Sequence, residues 1–192
     1  SKQVLNIEVK SLQAQNRSLY PECQLIDWLH LLLSYGFRHQ VVLFRRNGLR
    51  RLVSHLMAQR SGVFVQSVHT AFAKSSPLVI NASAIHEGVA THDLVHWLDL
   101  YAATHAEVLS LLKHFCELHC LPAPLQLIYE DLIEKDPVQG YLKVCHWLDI
   151  EPEPVSIQHR RINPEPLPQL IANWEEIERL LQPTPHAWML AS

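Results

Sequence analysis

A short apolar run that leads through an arginine-rich turn into an amphipathic helix limits this chain to few architectures. Residues 41–44 read Val-Val-Leu-Phe and follow polar residues, which is typical of a buried strand in a parallel sheet. Asn47 and Gly48 then turn the chain into a helix. The apolar stripe of that helix repeats with helical spacing at Leu49, Leu52, Val53, Leu56 and Met57. This segment therefore predicts a strand–turn–helix unit of an α/β protein.

The remaining segments alternate between helical and strand-like patterns. Strands are predicted for residues 5–10 and 125–129. Helices are predicted for residues 21–35, for a long segment capped by Thr91, for a segment begun by Asp136-Pro137 and for a last one starting near Pro168. Residues 62–88 have no strong period, and residues 151–168 are expected to form a proline-rich surface segment. This order favours a doubly wound α/β fold.

Composition restricts the class of protein. A chain of 192 residues with 48% hydrophobic content forms one ordinary domain with a real core. Its formal net charge of -3 argues against a general polyanion-binding protein. No segment approaches the roughly 20 apolar residues that cross a bilayer. The four cysteines have no disulfide-framework spacing, and no signal-peptide core is present, so a cytoplasmic setting is expected.

The arginines around the turn predict an anion site. Arg45, Arg46, Arg50 and Arg51 stand at the start of a helix, where positive side chains oppose the helix dipole. Arg46, Arg50 and Ser54 are spaced by four and share one face if the helix includes them all. Guanidinium groups and a serine hydroxyl suit phosphate oxygens. One alternative is a solvated first turn that binds no ligand. The other is a nucleic acid as the ligand, which is disfavoured because the rest of the chain is acidic and shows no aromatic stacking platform.

Three stretches resemble a known family. A strand followed by Arg46-Asn47, with Ser54 eight residues after the arginine, resembles the 3′-phosphate-binding element of sulfotransferases that use 3′-phosphoadenosine 5′-phosphosulfate (PAPS). Residues 129–132, Tyr-Glu-Asp-Leu, resemble another segment of that family. Residues 171–187 resemble the carboxyl-terminal helix of its bacterial branch. The doubled arginine is closer to the bacterial carbohydrate and nodulation-factor-type branch than to the animal cytosolic one.

The resemblance implies a fold and a set of site residues. The fold would be a P-loop-NTPase-like parallel sheet flanked by helices, in one domain over residues 1–192. Arg46 and Ser54 would hold the 3′-phosphate of PAPS, and Tyr129 would lie beside the adenine. Without the resemblance, Tyr129 reads as an ordinary strand tyrosine. Lys10 would neutralise charge on the leaving phosphate, unless it is simply a strand-end lysine.

The chain also departs from the family. Its five glycines, at positions 36, 48, 62, 88 and 140, do not stand in the Gly-Thr-Thr or Gly-Lys-Ser context of the loop that holds the 5′-phosphosulfate. We therefore expect the first strand, loop and helix of the fold to be missing. Animal members place a histidine two residues after the lysine, but Leu12 stands here. The general base is consequently not assigned.

These observations predict transfer of a sulfuryl group from PAPS to a hydroxyl or amine of a carbohydrate, lipid or small-molecule acceptor, with no metal required. Residues 62–88 are expected to shape the acceptor pocket. One alternative is a non-catalytic interaction domain that keeps the fold. Another is a small-molecule kinase, which the lack of a Mg²⁺-organising motif disfavours. Cys116, His119 and Cys120 lie close on one helix but are too few for a closed zinc site.

Overall fold

The computed structural model describes residues 24–64, 67, 76–87, 90–158 and 163–191. The predicted strand at residues 5–10, with the candidate catalytic residue Lys10, lies outside these residues.

The described residues form helices and short strands in a mixed order. The helices are α1 (Leu25–Ser34), α2 (Gly48–Ser61), α3 (Leu94–Leu118), α4 (Tyr129–Leu132), α5 (Pro137–Trp147), α6 (Leu167–Leu170) and α7 (Trp174–Leu181), followed by a 3₁₀ helix (Ala187–Ala191). The strands are β1 (Val41–Phe44), β2 (Ile85–Glu87), β3 (Ala90–His92) and β4 (Leu125–Ile128).

Strand β1 lies parallel to β4, with Val41 opposite Leu125 and Phe44 opposite Ile128. The prediction that residues 41–44 form a strand of a parallel sheet is therefore confirmed. The predicted burial of β1 is wrong, because 45% of Val41 and 59% of Leu43 are exposed. Successive side chains of a strand point to opposite faces. Val42 packs against the cluster of α1 and α3, and Phe44 stacks on α3, so only the alternate face is covered.

Helix α3 connects two hydrophobic clusters. Its first half contributes Leu94, Trp97 and Leu98 to the larger cluster, and Phe115 near its end packs with Leu29 of α1 in the smaller one. The predicted cap at Thr91 is wrong. Thr91 pairs within the β2–β3 hairpin, and the side chain of Asp93 accepts a hydrogen bond from the backbone N–H of His96. Asp93 therefore caps the helix because it directly precedes the first helical turn.

The carboxyl-terminal segment closes the larger cluster. The single predicted helix near Pro168 is divided into α6 and α7, because Ile171 has extended backbone and pairs with Leu78 in an isolated parallel bridge. The larger cluster is made of buried residues from α2, residues 78–85, α3, α6, α7 and the 3₁₀ helix. Residues 78–85, expected to belong to an acceptor pocket, thus contribute Leu78, Ile80, Ala82 and Ile85 to this core.

The described part of the chain is thus a mixed α/β structure with a small parallel two-stranded sheet flanked by helices. Helix α5 begins as predicted, since the side chain of Asp136 accepts from the N–H of Val138 and Pro137 occupies the first turn. Strand β4 is one residue shorter than predicted, because Tyr129 opens α4. Within the described ranges, no helix is both long and apolar enough to cross a membrane.

Candidate anion-binding site

The predicted site residues lie where the two parallel strands end. Residues 45–47 follow β1, and residues 129–131 follow β4. Parallel neighbours end at the same edge of a sheet, where ligands of α/β proteins bind. The structure therefore brings the arginine turn and the Tyr-Glu-Asp segment together, although they are far apart in the sequence.

Glu130 joins these two segments. Its carboxylate accepts hydrogen bonds from the backbone N–H groups of Arg46, at 3.0 Å, and Asn47, at 2.9 Å. Hydrogen bonds from an N–H to an ionised acceptor are among the stronger ones in proteins. Glu130 therefore holds the turn after β1 in a defined conformation.

Asn47 connects this turn to α2. Its side-chain oxygen accepts from the N–H of Arg50 at 2.8 Å, which makes Asn47 the N-cap of the helix. Its side-chain nitrogen donates to the carbonyl of Met189 at 2.9 Å. The amino end of α2 is thereby attached to the 3₁₀ helix of the larger cluster.

Gly48 lets α2 approach α3 closely. A Cβ at this position would lie 2.9 Å from Leu98 Cδ2 and 2.9 Å from Tyr101 Cδ1. Leu98 is fully buried, and the Tyr101 ring stacks on Phe44 and Trp97. Neither neighbour has room to move away. Gly48 is thus needed here because of close packing.

We expect Gly48→Ala to lower the free energy of unfolding by about 1–3 kcal/mol, the usual cost of overpacking a core. In an exposed helix the same change would stabilise the protein, because alanine has the higher helix propensity. Urea denaturation followed by circular dichroism measures the difference. A variant as stable as the wild type would contradict the close approach of the two helices.

Arg46 is engaged by acidic side chains. Its guanidinium donates to the carboxylate of Asp131, and its Nε lies 4.0 Å from Glu130 Oε2. Helix α2 starts at Gly48, so Arg46 precedes it and does not extend the helical face that carries Arg50. The helix does not include Arg46, and so the predicted single face with Arg46, Arg50 and Ser54 does not form.

Arg45, the first of the doubled arginines, lies at the centre of the site. Its guanidinium carbon is 4.4 Å from the centre of the Tyr129 ring. Its Nη1 is 3.4 Å from the Oγ of Ser54. Arg45 thus contacts two of the predicted site residues, Ser54 and Tyr129.

Arg50 has a different environment. Only 4% of this residue is exposed, and its guanidinium donates to the backbone carbonyls of Asn163 and Glu165. These bonds attach the segment before α6 to α2. Its role as a phosphate ligand stays a prediction, and little of the side chain is accessible to a ligand in this conformation.

Tyr101 of α3 contacts the turn that follows β1. Its hydroxyl donates to the carbonyl of Arg45 at 2.6 Å, and the guanidinium carbon of Arg51 lies 4.8 Å from its ring centre. Burial raises the pKa of Tyr101 above its ordinary value, and the nearby charge of Arg51 opposes that rise. The phenol therefore stays protonated at neutral pH and remains a donor.

Sequence reasoning missed the roles of Arg45, Glu130 and Tyr101. The doubled arginine could have indicated Arg45. The position of Glu130, directly after a strand expected in the same parallel sheet as β1, could have indicated that residue. Tyr101 has no local sequence signal for this role. Within the described part of the chain, no group of three or more His, Cys, Asp or Glu residues could hold a metal ion.

Comparison of the chain with protein-family models, with curated proteins and with solved structures gave no match. Its function is therefore inferred from its own residues.

Proposed function

We propose that this chain binds the adenosine 3′,5′-bisphosphate part of PAPS at the carboxyl ends of β1 and β4 and serves sulfuryl transfer. The observation that carries the proposal is the convergence of a guanidinium, a hydroxyl and an aromatic ring, from Arg45, Ser54 and Tyr129. The sequence resemblance to sulfotransferases falls on Ser54 and Tyr129 of these, and on Arg46 rather than Arg45. The fold that we propose is the P-loop-like sheet of that family.

The chemistry of these groups suits such a ligand. A guanidinium donates two parallel hydrogen bonds to phosphate oxygens, and a serine hydroxyl adds a neutral donor. A tyrosine ring offers a flat apolar surface to a purine. The amino end of α2 adds a partial positive charge beside these donors. A phosphate monoester attached to a nucleoside would use all of these groups together.

The proposed reaction is an in-line displacement at sulfur. The acceptor oxygen forms a bond to sulfur as the bond between sulfur and the 5′-phosphate oxygen breaks. The electron pair of that bond stays on the phosphate, and the acceptor proton passes to a base. Lys10, outside the described residues, is the proposed group that neutralises the leaving phosphate. The acceptor would be a hydroxyl or amine of a carbohydrate, lipid or small molecule.

One sequence feature favours a non-catalytic alternative. None of the five glycines stands in a phosphate-loop context, so the chain as given lacks an element that would hold the sulfate end of PAPS. A domain that keeps the sulfotransferase-like fold for an interaction, without binding the donor, accounts for this.

Calorimetric titration of adenosine 3′,5′-bisphosphate into the folded 192-residue chain separates the two functions. We expect micromolar binding by the wild type. We expect at least a tenfold loss in the Arg45→Ala, Arg46→Ala double variant and in Ser54→Ala a smaller loss, since a bond to a charged group contributes about 1.5–3 kcal/mol and a neutral one about half of that. Adenosine 5′-monophosphate, which lacks the 3′-phosphate, should bind more weakly.

Arg38→Ala provides the matched control. Arg38 is an exposed arginine that precedes β1, at the opposite end of the strand from Arg45. Its loss changes the net charge by the same amount per residue but leaves the site intact, so binding should stay within about twofold. A folded wild-type chain that does not bind the bisphosphate would overturn the sulfotransferase proposal and favour the interaction domain.

A further inference from the structure

Helix α3 contacts the parallel strands through a stack of aromatic rings. Trp97, Tyr101 and His105 follow one another at four-residue spacing on the helix. The Tyr101 ring stacks on Trp97 and on Phe44 of β1, with 5.5 Å between the last two ring centres. The His105 ring lies nearly parallel to Phe44, with 3.4 Å between ring centres and 6° between planes. Of these four rings, only His105 titrates near neutral pH.

The second contact of His105 requires its neutral form. Its Nε2 lies 3.0 Å from Nε2 of Gln126 in β4. An amide nitrogen carries donors and no acceptor. The histidine Nε2 therefore accepts this hydrogen bond, and the ring proton sits on Nδ1. Protonation of Nε2 would place two donors against each other.

The surroundings of His105 do not compensate a positive charge. In the described part of the chain, its ring contact and hydrogen bond are to Phe44 of β1 and Gln126 of β4, and both side chains are uncharged. Tyr101, one turn earlier on α3, is a neutral phenol because burial raises its pKa. The charged groups that act on Tyr101 are Arg51, Glu130 and Arg45.

Two effects on the protonated ring oppose each other. A charged imidazolium over the Phe44 face gains a cation–π attraction, but its burial removes water that would solvate the charge. Burial lowers the pKa of His105 below its ordinary value, so desolvation is the larger effect. The neutral ring is the form that fits this position.

This contact is close to the turn that follows β1. Phe44 directly precedes Arg45, and Tyr101, which stacks on Phe44, donates to the Arg45 carbonyl. Gln126 lies opposite Val42 in the parallel pair. His105 thus touches both strands whose carboxyl ends carry the candidate site.

We propose that His105 is a pH-sensitive contact between α3 and the two parallel strands. As a neutral imidazole it holds Phe44 and Gln126 against the helix. On protonation it releases them and loosens the turn after β1. The inference goes beyond the proposed function and does not depend on the identity of any ligand.

The sign of the effect follows from the direction of the pKa shift. The folded-state pKa of His105 lies below the value of about 6.5 that an unfolded chain gives. The contact therefore contributes its full stability above that value and loses it as the pH falls through the folded-state pKa. Acidification weakens the contact of α3 with the sheet.

The experiment combines a nuclear magnetic resonance titration of the full chain with urea denaturation between about pH 8 and pH 5, where histidine titrates. His105→Phe keeps a ring over Phe44 but cannot titrate. Gln126→Glu places a carboxylate against Nε2 and so favours the protonated ring. His114→Gln removes an exposed histidine from the same helix and is the matched control.

We expect the urea midpoints of the wild type and His114→Gln to fall more on acidification than that of His105→Phe. Gln126→Glu should raise the pKa of His105 and reduce the loss on acidification. In the wild type, the backbone amide signals of Phe44, Arg45 and Gln126 should shift with the same midpoint as the His105 ring.

A His105 pKa at or above the ordinary value would overturn the proposal. Equal losses of the urea midpoint in the wild type and His105→Phe would also overturn it. The resonance titration needs only the wild type, so the test stays decisive if His105→Phe does not fold. None of these measurements involves a nucleotide, and the proposed function is tested separately.

Discussion

Replacing Arg50 by alanine is expected to lower the free energy of unfolding by about 3 kcal/mol. The buried guanidinium donates to the carbonyls of Asn163 and Glu165. Its removal leaves two carbonyls without these donors and leaves a cavity beside α2. For a chain of 192 residues, this corresponds to a decrease of about 6–12 °C in the melting temperature. Calorimetry or urea denaturation measures it.

The neighbouring arginine is the control for this prediction. Arg51→Ala changes the same side chain in the same helical turn, but it removes only a partly exposed guanidinium over the Tyr101 ring. That contact contributes about 0.5–1 kcal/mol. Equal melting temperatures for the Arg50→Ala and Arg51→Ala variants would show that the bonds to residues 163 and 165 contribute little.

The Arg50 variants also bear on binding. Arg50→Lys keeps the charge but offers a single ammonium in place of a fork that reaches two carbonyls. If Arg50 acts only within the fold, this variant loses stability and keeps its affinity for adenosine 3′,5′-bisphosphate. If it holds the phosphate, affinity falls as well.

The second large effect is expected at the end of α7. Leu181 is fully buried in the larger cluster, whereas its neighbour Leu180 is 37% exposed. We expect Leu181→Ala to lower the free energy of unfolding by about 2–5 kcal/mol, from lost apolar burial and the cavity that remains. This cluster joins α2, α3, α6 and α7. A cavity there weakens contacts among elements that pack on the site.

Leu180→Ala is a closely matched control because the chemical change and its effect on helix propensity are the same. We expect a loss of about 1 kcal/mol or less. Urea denaturation of both variants, analysed with the slope of the transition, measures the difference. Losses of equal size would contradict the placement of α7 against the cluster.

Several elements could be predicted from local sequence signals. The apolar run at residues 41–44 is β1, and the stripe that follows Gly48 is α2. Asp136 and Pro137 begin α5 as expected. These predictions succeeded because a strand run, a helical stripe and a cap each depend on side chains within a few residues of one another.

Other features depend on distant parts of the chain. Nothing local distinguishes Asp93 from Thr91 as the cap of α3, because both residue types cap helices and the choice follows from the β2–β3 hairpin that ends at His92. The division between α6 and α7 is equally non-local, since Ile171 leaves the helix where it pairs with Leu78. Burial of β1 was overestimated because apolar composition does not reveal which face of a sheet is covered.

By itself, the sequence determined that a cationic turn follows a strand and begins a helix, because apolar periodicity, an N-cap and a run of arginines are all local. Only the tertiary structure decided what surrounds each arginine. Arg45, Arg46 and Arg50 carry the same side chain, and their different surroundings come from Tyr129, Asp131 and residues 163–165, which are distant in the sequence. The same guanidinium group contacts an aromatic ring, a carboxylate or buried backbone carbonyls according to what the fold places around it.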